Sequence, residues 1–508
     1  MRRMPGATIV RIIGAVAPRT SRDVTEGSLP HRFPAPGARI VSAAFCLLLS
    51  LLAAPGHAQS TVPPVLPESV ATELRAARVP LAAVAVTLVP LSGSGITMAI
   101  NEHQSMNPAS TMKIATTLAG LELLGPQYVW RTEALAAAPL KQGVLEGDLW
   151  LRGSGDPRLV IEDLWLLVQR IRGSGVREIR GDLVLDRSAH EPIAHDPAAF
   201  DGEALRPYNA GPDALLLNYK AVSFHFVADT EARQVRVYAL PAIAGMVVPA
   251  TVKTADGPCN DWRARVGGDF ADPLRPQFRG VFPLSCGDKV WHVNLLSPVQ
   301  YAQAVFRPLW EASGGTWRGR ARDGVAPAQA RRIAAHESRP LAEVIRDINK
   351  FSNNVMARQL FLSIGAEGSK QPASIERAQR AVCDWLVGRG LDRREFVLEN
   401  GAGLSRSERL TSAGLARLLV GAYESQLMPE LMSSLPIVGV DGTMRKRAGA
   451  AGAAHIKTGL LADTRAIAGY VLAASGRRYA IVVFVNHPNA GATQGALDAL
   501  LNWVYAQG

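Results

Sequence analysis

The chain has 508 residues, 48% of them apolar and 19% charged, which excludes a disordered polymer and is enough for two or more domains with a large core. Its net charge of +11 rests on 46 Arg scattered along the chain against 9 Lys. That scatter argues against the basic stripe of a nucleic-acid-binding protein.

In chain order, the first 60 residues read as export machinery. Residues 40–54 ("IVSAAFCLLLSLLAA") are an uncharged run behind Arg32 and Arg39, and Gly56 and Ala58 supply the small residues of a cleavage site. The expected cut follows Ala58, making residues 1–58 a signal peptide and placing a mature chain from about Gln59 in the periplasm. The run is short for a membrane span, and Cys46 after Phe45 fits a lipoprotein signal poorly; peripheral membrane association stays open. Removing residues 1–58 takes away seven Arg, one Asp and one Glu and leaves a charge of +6.

Next, "PLAAVAVTLVP", an "LSGSG" turn and "ITMAIN" predict a β-hairpin leading into a helix that carries Ser110 and Lys113. From about 145 to 335 short β-like runs such as "GDLWLRG", "AVSFHFVAD" and "RQVRVYALP" alternate with Pro and Gly. Helices dominate 340–425, including "RPLAEVIRDINKFSNNVMARQLFLSIGA" read as one helical stretch. The end mirrors the beginning: "AHIKTGLL", "AIAGYVLAAS" and "GRRYAIVVFVN" are three strands before a closing helix. The pattern is a domain made from both ends of the chain, interrupted by a β-rich insert.

Three cysteines remain after processing. Cys259 and Cys286 sit in loop-like contexts and are disulfide candidates in an oxidising compartment; Cys383, in the helical "RAVCDWLVGRG", reads as a buried free thiol. "HEPIAH" (190–195) is not a zinc motif, and neither a metal site nor a cofactor is expected.

Three short motifs carry chemistry. Ser110 and Lys113 ("NPASTMK") share a helix face, and a lysine in a dry pocket beside a hydroxyl can lose its proton and act as base. The competing reading is a helix cap, since "NPAST" is good capping chemistry. Ser352-Asn353-Asn354 offers a hydroxyl to relay a proton and an amide, that of Asn354, to orient a carbonyl; alone it reads as a polar helix face. Ser105-Met106-Asn107 has the same pattern but lies on the approach to Ser110 and is set aside. Lys457-Thr458-Gly459, the only such tripeptide in the chain, sits on a predicted strand where Gly admits a substrate backbone and the next N–H, that of Leu460, can point into an oxyanion hole.

In that order, each in a fitting element, the three motifs are the set of serine penicillin-recognising enzymes. The chain resembles the class C low-molecular-mass penicillin-binding proteins, the D-alanyl-D-alanine carboxypeptidase/endopeptidase family of penicillin-binding protein 4 type. Ser352 stands 239 residues beyond Lys113, a gap in which this family carries extra domains, and "LRGSGDPRL" (151–159), "ENGAGLSRSERLT" (399–411) and "VGVDGTMRKR" (438–447) also look like the family's. The resemblance implies an α/β (α+β) penicillin-recognising core, an antiparallel sheet flanked by helices, with two nested β-rich inserted domains. The expected segments are 59–140 and 336–508 for the catalytic domain, 141–214 and 301–335 for the first insert, and 215–300 for the second.

It also implies roles: Ser110 as acylated nucleophile, Lys113 as base, Ser352 passing a proton to the leaving group, Asn354 holding the substrate amide, Lys457 tuning the site and Thr458 gripping the terminal carboxylate. Arg406 and Asp201 would meet the far end of a diaminopimelate side chain. Substrates would be peptidoglycan stem peptides and their cross-links, with β-lactam antibiotics as covalent inhibitors. Leu460 departs from the family, which carries Ser or Thr there, so cross-link cleavage is expected to be the better activity. A β-lactamase or esterase of the same superfamily, and a wall-binding scaffold that no longer turns over, are the alternatives. The sequence does not set the oligomeric state.

Overall fold

The computed structural model describes residues 66–508; the apolar run and cleavage site read at the start of the chain lie outside them. The central sheet has five antiparallel strands in the order Met98–Ile100, Val84–Pro90, Arg478–Asn486, Thr464–Leu472, Ala454–Leu461. Its first two strands come from the early hairpin, in register Val86 to Ile100, and the other three from the end of the chain. Both faces are covered, which is why these strands read as unbroken apolar runs rather than alternating ones. Val84, Val86, Ile481, Val483 and Val485 pack with Val70 and Leu74 of the helix Glu68–Ala76 and with Leu497 and Leu501 of the closing helix Gln494–Gln507. Their neighbours Ala85, Ala480, Val482 and Phe484 point the other way, into a helical layer.

That layer positions the site. The helix Met112–Leu123 is buried at every position from Met112 to Leu121, sheathed by Leu341–Lys350, Asn354–Ser369, Ile375–Gly388 and Ser412–Tyr423. The stretch 339–366, expected to be helical throughout, breaks at Phe351–Asn353. Ser352 takes a left-handed φ of +55°, and the Asn353 side chain caps the next helix by accepting from Met356 N–H at 3.0 Å. The break turns Ser352 off the helix surface.

The strands between the two halves form further sheets. One runs Ala321–Asp323, Leu183–Asp186, Leu149–Arg152, Arg131–Ala136, Arg331–Glu337; another runs Val281–Pro283, Thr251–Ala255, Gln234–Leu240, Ala221–Asp229, Lys289–Asn294. They share an apolar core with the helices Ile161–Gly173 and Pro298–Ala312. Arg131–Ala136, inside the segment expected to be catalytic, hydrogen-bonds to Leu149–Arg152 and Arg331–Glu337 instead. Cys259 and Cys286 are joined in a disulfide; Cys383 is free and only half-buried.

Candidate active site

Ser110 lies in one tight turn, Ala109–Thr111, that runs directly into the helix Met112–Leu123. Neither Ser110 nor Thr111 caps that helix through its side chain, so the capping reading of "NPAST" fails. The polar residues hold the turn itself. Asn107 accepts from Ala109 N–H (2.9 Å) and donates to Ser405 O (2.9 Å), its backbone is gripped on both sides by the Asn486 amide, and Thr111 donates to Pro108 O (2.6 Å). Two glycines let other segments press against it. A Cβ on Gly403 would stand 1.9 Å from Ala109 O, and one on Gly459 2.7 Å from Pro108 O. Ala109 itself is held at φ +43°, a strained conformation of the sort found at functional sites.

Lys113 is fully buried. Its Nζ lies 2.9 Å from Ser110 Oγ, 2.6 Å from Asn354 Oδ1 and in a short contact with Ala402 O. Burial, and then the positive charge of Lys457, hold its pKa well below the ordinary lysine value. The neighbours decide what a neutral Lys113 does. Two of them, Asn354 Oδ1 and Ala402 O, can only accept, and a neutral amine has two protons. The lone pair is left for the Ser110 hydroxyl. The arrangement can therefore take the proton of Ser110.

A second lysine chain stands opposite. Lys457, also fully buried, donates to Ser352 Oγ at 2.9 Å and to Thr458 O at 2.8 Å, and burial pulls its pKa down to about 7. Ser110, Ser352, Asn354, Thr458, Gly459, Leu460, Arg406 and Asp201 all line one pocket of about 830 Å³. Within it Arg406 stacks on Phe200, 4.8 Å from the ring centroid, and Asp201 accepts from Tyr208 Oη and Asn209 Nδ2, each at 2.8 Å. The Leu460 side chain is 65% exposed, presenting an apolar surface where a hydroxyl was expected.

Two residues of this site escaped the sequence reading. Glu408 is completely buried. Its carboxylate accepts from the N–H groups of Glu399, Asn400 and Gly401 on one oxygen and Gly403 on the other, at 2.8–3.2 Å, fixing the loop that presents Ala402 O to Lys113. Thr443 lines the pocket and accepts a hydrogen bond from Thr458 Oγ1 at 2.8 Å, bringing a second hydroxyl beside Leu460. Both lie in stretches that resemble the family's, "ENGAGLSRSERLT" and "VGVDGTMRKR", where nothing local marked them.

A serine whose proton faces a buried amine, with a second lysine–serine pair across the cleft, defines a serine acyl-transfer hydrolase. Residues 66–505 match the model of the D-Ala-D-Ala carboxypeptidase 3 (S13) family, and the chain belongs to that family. It is a serine-type D-Ala-D-Ala carboxypeptidase. It is 30% identical over 423 residues to the D-alanyl-D-alanine carboxypeptidase of Actinomadura sp. (strain R39), covering 78% of this chain and 77% of that one. It is 26% identical over 396 residues to the D-alanyl-D-alanine carboxypeptidase DacB of Haemophilus influenzae, covering 77% and 82%. The crystal structure of penicillin binding protein 4 from Haemophilus influenzae superposes with a TM-score of 0.70 at 24% identity, covering 86% of this chain and 99% of that one. The mixed α/β fold with several sheets is thus a penicillin-binding protein 4 fold.

Proposed function

We propose that Ser110 is the residue acylated by peptidoglycan stem peptides ending in D-Ala-D-Ala, or by D-Ala–diaminopimelate cross-links, and by penicillins. The observation that carries this reading is the exhaustion of Lys113's two protons by Asn354 and Ala402, which aims its lone pair at Ser110. Lys113 takes the proton as Oγ attacks, and the Ser110 and Leu460 N–H groups receive the oxyanion. Ser352, held by Lys457, passes a proton to the departing amine. Asn354 orients the substrate amide, and Thr458 with Thr443 binds the terminal carboxylate. Water then cleaves the ester. Arg406 and Asp201 meet the far end of the stem-peptide side chain. In support of the penicillin reaction, the Haemophilus influenzae penicillin binding protein 4 has been crystallised complexed with a novel β-lactam.

The strands at 131–337 support two nested inserted domains, with the first crossing near residue 130 because Arg131–Ala136 pairs with the insert. The Cys259–Cys286 disulfide supports export to the periplasm through residues 1–58.

Brief exposure to penicillin should add one drug mass, and digestion should find it on the peptide containing Ser110. Labelling elsewhere, or none with intact protein, would overturn the assignment. Rapid drug hydrolysis without an adduct would point to a β-lactamase.

The two lysines also set a pH profile. Lys113 works neutral, so kcat/KM rises as pH climbs through its lowered pKa. Lys457 works charged, so kcat/KM falls above about 7. Arginine does not lose its proton in this range. In Lys457→Arg the falling limb should disappear while the rising limb stays; an unchanged falling limb would remove Lys457 from the role.

A further inference from the structure

The active-site pocket has a side branch. A second cavity, of about 600 Å³, shares Tyr208, Ser352 and Asn354 with it and is not lined by Ser110 or Thr458. Arg206, Arg263, His292 and Phe351 line it and do not line the main pocket. Phe351, beside Ser352 in the helix break, is 68% exposed, an aromatic surface with no packing task. Arg263 projects from the short helix Trp262–Val266, within the segment closed by the Cys259–Cys286 disulfide. Its guanidinium lies over the Trp262 ring at 5.5 Å, and its Nε is buried with no hydrogen-bond partner among the described residues. Arg206 Nε faces Glu203 at 3.2 Å, and His292 Nδ1 is bonded to Ser223 Oγ at 2.7 Å. Two arginines thus stand against one carboxylate in a branch that begins at the proton-relay serine.

We propose that this branch is the subsite for the leaving half of a cross-link: an acidic peptide whose free carboxylates are held by Arg206 and Arg263 while its amine departs past Ser352. The proposal rests on the reading that Ser352 hands its proton to the leaving amine. In that step the Ser110 Oγ–carbonyl bond forms, the carbonyl–nitrogen bond breaks, and the proton removed from Ser110 ends on the released amine. When the leaving group is D-alanine its single carboxylate is met at Thr458, and the branch stays unused. When it is a second stem peptide, its remaining residues and carboxylates must go somewhere, and the branch has the volume, the position and the charge. This deepens the peptidase reading by giving cross-link cleavage its own binding surface, separate from the Leu460 position.

The test compares two substrates on the purified enzyme: a single stem peptide ending in D-Ala-D-Ala, and a dimer of two stem peptides joined by a D-Ala–diaminopimelate bond. Arg206→Gln and Arg263→Gln should each lower kcat/KM for the dimer about tenfold, the effect of one lost charge-assisted hydrogen bond. Single-peptide turnover and penicillin acylation should stay within about twofold, as for a surface substitution that touches no bound group. On wild type, a dimer with every leaving-half carboxylate amidated except the one beside the scissile bond should lose the product of the two single-variant factors, about a hundredfold, and the variants should then lose nothing more. Equal loss on both peptides, or no loss on the dimer, overturns the proposal, as does a wild type that acylates with penicillin yet leaves the dimer uncut. A wild type that neither acylates nor cuts the single peptide sinks the Ser110 assignment first and the subsite with it.

Discussion

Lys113→Arg should acylate with penicillin about 10³-fold more slowly than wild type, within the range general-base catalysis supplies, while remaining folded. Arginine can donate to Asn354 Oδ1 and Ala402 O as lysine does, so it replaces two of the three contacts. It offers no lone pair to Ser110 at any pH the protein survives. The variant therefore keeps the hydrogen bonds and loses the chemistry. Its larger head group in a closed site costs stability of about 1–3 kcal/mol, so Lys113→Met, close in volume and wholly apolar, is needed beside it. Arginine would also bury a charge at a position where burial already disfavours the charged lysine, and methionine would not; the methionine variant should unfold at a temperature no lower than the arginine one and be equally slow. The check is the acylation rate by intact mass, with thermal unfolding on the same samples. Acylation by either variant within tenfold of wild type would show that the proton of Ser110 leaves by another route.

What the sequence discloses and what it hides divide along a physical line. The strands of the central sheet were legible because burial on both faces writes apolar runs such as "RYAIVVFVN" into the chain. Residue type and spacing singled out Ser110, Lys113, Ser352, Asn354 and Lys457, and the structure brings all of them together. The helix break at Ser352 was hidden under an apolar period that continues on either side of it; the Asn353 cap was its one local signal. Arg131–Ala136 pairs with strands about 20 and 200 residues away, a non-local choice that no window of sequence holds. Glu408 was least visible. A lone glutamate among serines and arginines reads as solvated, and only tertiary folding buries it under four N–H groups.

That burial makes Glu408 the residue whose loss should disturb the site most from outside it. In Glu408→Ala four backbone N–H groups lose their acceptor in a dry interior, and stability should fall by about 3–5 kcal/mol, the cost of removing one partner from a buried charged network. Glu408→Gln separates the roles. Its carbonyl oxygen can still accept from Glu399, Asn400 and Gly401, but its NH₂ meets the Gly403 N–H, donor against donor, for a loss of about 1–3 kcal/mol. Gly403 abuts Ala109 O and Ser110 N, so the misfit is passed straight to the nucleophile's turn. The carboxylate also acts through space: its charge raises the Lys113 pKa against burial and Lys457. Without that charge Lys113 should lose its proton at lower pH, so in Glu408→Gln the rising limb of kcat/KM moves to the acid side while its plateau drops. A stability loss with the rising limb unmoved would make Glu408 a purely structural clamp. A limb displaced to the alkaline side would contradict the sign of the coupling, because removing a neighbouring negative charge can only favour the neutral amine.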